Sequence, residues 1–96
     1  MENKLIMVVV NRGFAEQVVE ESRKQGARGA TILHGRGSAG IGEKFLGMEI
    51  TPEKEVIMIV GDTATADNIQ KHLDEVLRNN PAEGGICFAL PVSVMT

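Results

Sequence analysis

The sequence contains no tryptophan, no tyrosine and only three phenylalanines. Binders of single-stranded nucleic acid stack bases on aromatic faces, and this chain has little to stack them on. An excess of positive charge is also missing: ten lysines and arginines face thirteen aspartates and glutamates, for a formal net charge of −3. A surface that neutralises a phosphate backbone needs the opposite sign, so the composition argues against a DNA- or RNA-binding role. The single cysteine excludes an intramolecular disulfide, and the lack of a disulfide framework points to the cytoplasm. Cys87 stands in the apolar run 86–90 and reads as a small buried hydrophobe rather than a reactive thiol. Long hydrophobic runs are absent: after a mostly polar start (residues 1–4) only six apolar residues follow. That is too short for a signal segment or a membrane span. The two histidines, His34 and His72, have no cysteine or histidine near them at ligand spacing, so no metal site is expected.

What is present fits one domain spanning residues 1–96, with 43% hydrophobic residues, enough for a core and too many for a disordered chain. The β-branched run 5–10 predicts a central strand. Residues 14–25 place Phe14, Ala15, Val18 and Val19 on one face of a helix, and Gly26 suits a left-handed C-terminal cap. A second strand is expected over 30–34 and a third over 56–60. Between them the glycine-rich, charged stretch 35–55 reads as a long mobile loop rising from a hairpin, with Glu53, Lys54 and Glu55 as loop charge. Gly61, Asp62 and Thr63 supply a turn and a helix cap. Ala66, Ile69, Leu73, Val76 and Leu77 follow the helical repeat in a second helix, 64–79, which Pro81 ends. Gly84 and Gly85 then turn the chain into a fourth strand, 86–92.

The order βαββαβ predicts an α+β, ferredoxin-like fold: a four-stranded antiparallel sheet with both helices on one face. The other face must also be buried, and in a chain this short a further subunit is the expected cover.

Two motifs carry chemistry. Gly35-Arg36-Gly37-Ser38-Ala39-Gly40 matches G-x-G-x-x-G in form, but it follows the second strand and opens no helix, which excludes a dinucleotide fold. Two readings stay open: a turn that needs glycine freedom, or backbone N–H groups that cradle an anion beside Arg36. Gly84-Gly85 is either a plain tight turn or a second loop that lets a ligand approach the backbone closely. His34 is read as a surface strand residue beside the first motif, and His72 as part of a solvated helix face, like Glu16, Glu20 and Glu21. Catalysis is not expected: Ser38 has no base at motif spacing, and no nucleophile elbow occurs.

The run Gly26-Ala27-Arg28-Gly29-Ala30-Thr31-Ile32, with Arg36-Gly37 after it, resembles the P-II nitrogen-regulatory family, whose members carry G-x-x-G-x-T-V before a basic residue and glycine at the base of a long loop. Phe88-Ala89-Leu90-Pro91-Val92 is similar to that family's closing strand, and Gly61-Asp62 matches its third-strand-to-helix junction. The resemblance implies a ferredoxin-like homotrimer with inward-facing sheets. It implies ATP or ADP in clefts between subunits, sensing of 2-oxoglutarate with magnesium, and a long loop that docks on a transporter, enzyme or regulator. Carried over, Thr31 lies near the adenine, Arg36 and Gly37 lie at the loop base near the phosphates, and Gly85 matches the glycine of the second phosphate-side loop; Gly35, Ser38 and Gly84 complete the expected cofactor-binding set. The chain departs from the pattern at Ile86, where the family has a phosphate-binding lysine. It also has no tyrosine in the loop, no glutamine near Gly40, and no counterpart of the family's C-terminal arginines before Thr96.

The leading expectation is therefore a regulator that binds a small effector and docks its loop, about 36–55, on a partner in nitrogen or metabolite regulation. A small metal-binding or enzymatic module on the same fold, and a ligand-free structural trimer, are the alternatives.

Overall fold

The computed structural model describes residues 2–37, 43–45, 48–50, 53–80 and 84–94. Strand β1 (Asn3–Asn11) leads through a turn into helix α1 (Ala15–Lys24), and β2 (Thr31–Arg36) follows. Two short strands, β3 (Glu43–Phe45) and β4 (Met48–Ile50), pair with each other. Next come β5 (Glu53–Asp62), helix α2 (Thr63–Asn79) and β6 (Ile86–Val92). The main sheet has the order β2-β5-β1-β6, antiparallel throughout, which is the ferredoxin-like topology expected of the sequence.

The central strands are apolar on both faces. Ile6, Val8 and Val10 of β1 and Ile57 and Ile59 of β5 point to the helices and are fully buried. They meet Ala15 and Val18 of α1 and Ala66, Ile69, Leu73 and Leu77 of α2, whose three- and four-residue spacing makes one stripe per helix. Ser22, the buried polar residue within α1, satisfies its hydroxyl by donating to the Val19 carbonyl at 2.7 Å.

Local chemistry sets the helix ends. Gly26 takes a φ of 101°. Its N–H donates to the Arg23 carbonyl and that of Ala27 to the Ser22 carbonyl, the paired bonds of a Schellman motif. Asp62 caps α2: its carboxylate accepts from the Thr65 N–H at 2.9 Å, which holds the carboxyl below its ordinary range. Gly85 fits between α2 and β1, where a Cβ would come within 2.5 Å of Leu77 Cδ2 and 3.1 Å of Val10 Cγ1.

The opposite sheet face is bare within one chain. Leu33, Val60, Ile86, Phe88 and Leu90 are 48%, 53%, 60%, 41% and 39% exposed, beside half-buried Leu5, Met7, Val9, Val56 and Met58. A contiguous apolar face of this kind marks a surface meant to be covered.

The stretch 35–55 differs from its reading as a loop. Strand β2 runs on to Arg36 and β5 starts at Glu53, so the ladder gains the rungs His34↔Glu55, Gly35↔Lys54 and Arg36↔Glu53. These residues show no apolar alternation, the usual signature of a strand; Glu53 and Glu55 are held instead by Arg12 and the Gly13 N–H. The β3–β4 pairing lies in the same stretch. Ser38, and the Ala39-Gly40 that completes its motif, lie outside the described residues.

His72 is only partly exposed. Its Nε2 lies 2.7 Å from Glu21 Oε2, which ties α2 to α1, and both side chains are largely covered. Their positions face each other only because the two helices pack side by side. Cys87 lies on the helix-facing side of β6, where burial, with Asp74 nearby, pushes its thiol pKa up to about 12.

Candidate anion-binding site

Three apolar residues meet side by side on the bare sheet face, since Val9 of β1 is in register with Val56 of β5 and with Ile86 of β6. They floor a hollow of about 390 Å³. Its rim comprises Gly35, Arg36 and Gly37 at the end of β2, Lys54 of β5, and Gly84 just before β6. The end of β2 and the turn into β6, distant in sequence, are thus brought to one place by the strand order.

Lys54 is the central cation. In the ladder it stands between Asn11 on one side and Gly35 on the other. Its Nζ donates to Asn11 Oδ1 at 2.5 Å. Gly84 accommodates this arrangement: its φ is +58°, and a Cβ there would lie 2.6 Å from Asn11 Nδ2. Only glycine lets the Asn11 carboxamide sit against the turn without strain.

A second hollow, of about 410 Å³, shares Gly35, Arg36 and Lys54 and adds Arg12, His34 and Glu53. Arg12 Nη1 is 2.6 Å from Glu53 Oε2, and the Arg12 N–H donates to the Glu53 carbonyl. Glu55 accepts from the Gly13 N–H at 2.5 Å and the Ala15 N–H at 3.4 Å. It caps the start of α1, where Phe14 offers no side-chain cap. The residues read as loop charge thus hold the turn 11–15 against β5.

The lining of the two hollows contains three permanent cations, Arg12, Arg36 and Lys54, and one carboxylate, Glu53. Glu53 is engaged by Arg12, and no ion pair to Arg36 or Lys54 occurs among the described residues. An apolar floor under a cationic rim suits a ligand with a flat apolar part and an oxyanion. No group of three histidine, cysteine or acidic side chains gathers among the described residues, and no helix there is long and apolar enough to cross a membrane.

Of the residues singled out from the sequence, Gly35, Arg36, Gly37 and Gly84 converge on the hollow. Gly85 lies next to it but is packed against α2. Thr31 begins β2, about 13 Å along the strand from Gly35 at the usual rise per residue. Lys54 and Asn11 carried no signal in the sequence: nothing in local spacing reveals which strand end a charged residue will face.

Solved structures share this fold. A protein of Thermus thermophilus described as PII-like and signalling superposes with a TM-score of 0.72 at 24% identity, over 98% of this chain and 90% of the other. CPII of Thiomonas intermedia, a nitrogen regulatory PII-like protein bound to ADP, AMP and bicarbonate, gives 0.70 at 16% identity, over 100% and 96%. The GlnK–ATP complex of B. subtilis gives 0.68 at 21% identity, over 96% and 84%. No curated protein sequence matches the chain. The family model of the nitrogen regulatory protein P-II matches residues 3–96, nearly the whole chain, and the protein therefore belongs to the P-II family.

Proposed function

We propose that this protein is a signal-transduction regulator, not an enzyme, that binds a small anionic effector between subunits of a homotrimer in the cytoplasm. The effector is an adenine nucleotide, ATP or ADP, and the connection over residues 36–55 docks on a protein partner in nitrogen or metabolite regulation. The observation that carries this reading is the hollow at the end of β2, with its apolar floor and cationic rim. It opens on the bare sheet face, so a neighbouring subunit packed there would close it. The nucleotides held by the CPII and GlnK structures support the choice of ligand.

In this reading residues 1–96 act as one domain. Gly35, Arg36, Gly37 and Ser38 meet the phosphates, with Gly84 and Gly85 behind them, and Thr31 lies toward the base. Ligand contacts at the strand end then favour one arrangement of the connection that β2 and β5 anchor, and that difference is what the partner reads.

Calorimetric titration with ATP, ADP and AMP, with and without magnesium and 2-oxoglutarate, tests this. Saturable binding weakened by Arg36→Ala is the expected result. No binding of any of them refutes the nucleotide reading and leaves a trimer that presents its connection without a ligand, a role to which Ile86, in place of a phosphate lysine, is also suited.

A further inference from the structure

We infer that residues 53–55 of β5 form a two-state latch. Closed, they tie the root of the connection between β2 and β5 to the start of α1; open, they rejoin that connection. The device is independent of which ligand the protein binds.

Three consecutive residues grip the turn between β1 and α1 from both faces of the sheet, as alternation along a strand requires. On the side of the helices, Glu53 Oε2 lies 2.6 Å from Arg12 Nη1, and the Glu53 carbonyl accepts from the Arg12 N–H at 3.2 Å. On the same side, Glu55 Oε1 accepts from the Gly13 N–H at 2.5 Å and the Ala15 N–H at 3.4 Å. On the bare side, Lys54 Nζ donates to Asn11 Oδ1.

These contacts stand in for packing that the strand ends lack. His34, Gly35 and Arg36 are exposed, and none of residues 34–36 or 53–55 belongs to the buried core. Their three rungs are held by hydrogen bonds and an ion pair near the surface, the kind of structure that opens locally before the core does. Residues 35, 36 and 53–55 read as loop in the sequence and stand as strand in the fold. Disagreement between local pattern and tertiary state is what a two-state element looks like.

Opening has two linked effects. It frees three residues at each root, about 10 Å of chain per side at the usual strand rise. It also takes the Glu55 carboxylate away from α1, whose N-cap Phe14 makes no side-chain bond of its own. The reach of the connection and the order of the first turn of α1 therefore change together. A partner that needs the longer connection binds the open state and draws the latch open.

The test is hydrogen–deuterium exchange of the full chain, read by mass spectrometry, for the wild type, Arg12→Ala, Glu55→Ala and Glu53→Ala, each checked by circular dichroism. In the wild type, segments 12–16 and 31–37 should exchange through one opening, faster than β1 and α2. Glu55→Ala should speed both segments about 5-fold, the size of a lost helix cap. Arg12→Ala, which alters only the turn, should speed 31–37 about 2- to 5-fold as well. Glu53→Ala should match Arg12→Ala, and it carries the test if Glu55→Ala does not fold. Arg12→Ala that speeds 12–16 and leaves 31–37 at the wild-type rate overturns the latch, because the turn and the strand end then open separately. Acceleration that reaches α2 equally also overturns it, because the opening is then global.

Discussion

Gly84→Ala isolates the Asn11–Lys54 contact at the rim of the candidate anion site. The backbone at Gly84 has a φ of +58°, and an added Cβ would lie 2.6 Å from Asn11 Nδ2 and 3.0 Å from its Cγ. Holding alanine in the left-handed region costs about 1–2 kcal/mol. The clash then drives Asn11 off Lys54, breaking a hydrogen bond to a charged group worth about 1.5–3 kcal/mol. The sum is a loss of about 2.5–5 kcal/mol. Urea denaturation at one fixed protomer concentration measures it, since subunit association also shifts apparent stability. The decisive comparison is the same substitution in an Asn11→Ala background. There the clash and the hydrogen bond are both gone, so only the backbone cost of about 1–2 kcal/mol should remain. Equal costs in the two backgrounds would refute the idea that Asn11 is what demands glycine at 84.

Two further outcomes follow from the packing. Phe88→Asp puts a carboxylate in the middle of the bare sheet face, between Ile86 and Leu90, and removes about 1.5–3 kcal/mol of side-chain burial per subunit before the charge is counted. If the proposed trimer packs through this face, sedimentation velocity should show it dissociating to monomers, and a trimer that persists would mean that the interface lies elsewhere. Glu21, bonded to His72 and then to Lys24, has a carboxyl held below its ordinary value of 4.5. Because the folded value is the lower one, its stabilising effect is present above about pH 4.5 and is lost as pH falls through the folded value. Glu21→Gln should therefore lower the urea midpoint at neutral pH and flatten its decline in acid; an unchanged acid slope would show that this contact between the helices contributes nothing.

Much of the architecture was readable in the chain because its causes are local. The apolar runs of β1 and β5, the three- and four-residue stripe of α2, the Asp62 cap and the Gly26 terminus each depend on neighbours within a few positions. The order of those elements then restricts the topology, and the resemblance to the P-II family rests on motifs of the same local kind. The candidate anion site was half legible: Gly35, Arg36, Gly37 and Gly84 stand out as glycine and charge at turns.

What tertiary structure alone decided is how distant positions face one another. The ladder made strand out of residues 53–55, which carry no apolar pattern, because Glu53 and Glu55 found partners at the turn before α1. Packing of the helices turned His72 from a surface residue into a contact with Glu21. Strand register placed Lys54 beside Asn11 and turned Ile86 into the floor of the hollow. Periodicity along the chain determines which face a residue takes, but not what stands across from it, because that depends on pairings between segments more than forty positions apart, such as Asn11 with Lys54.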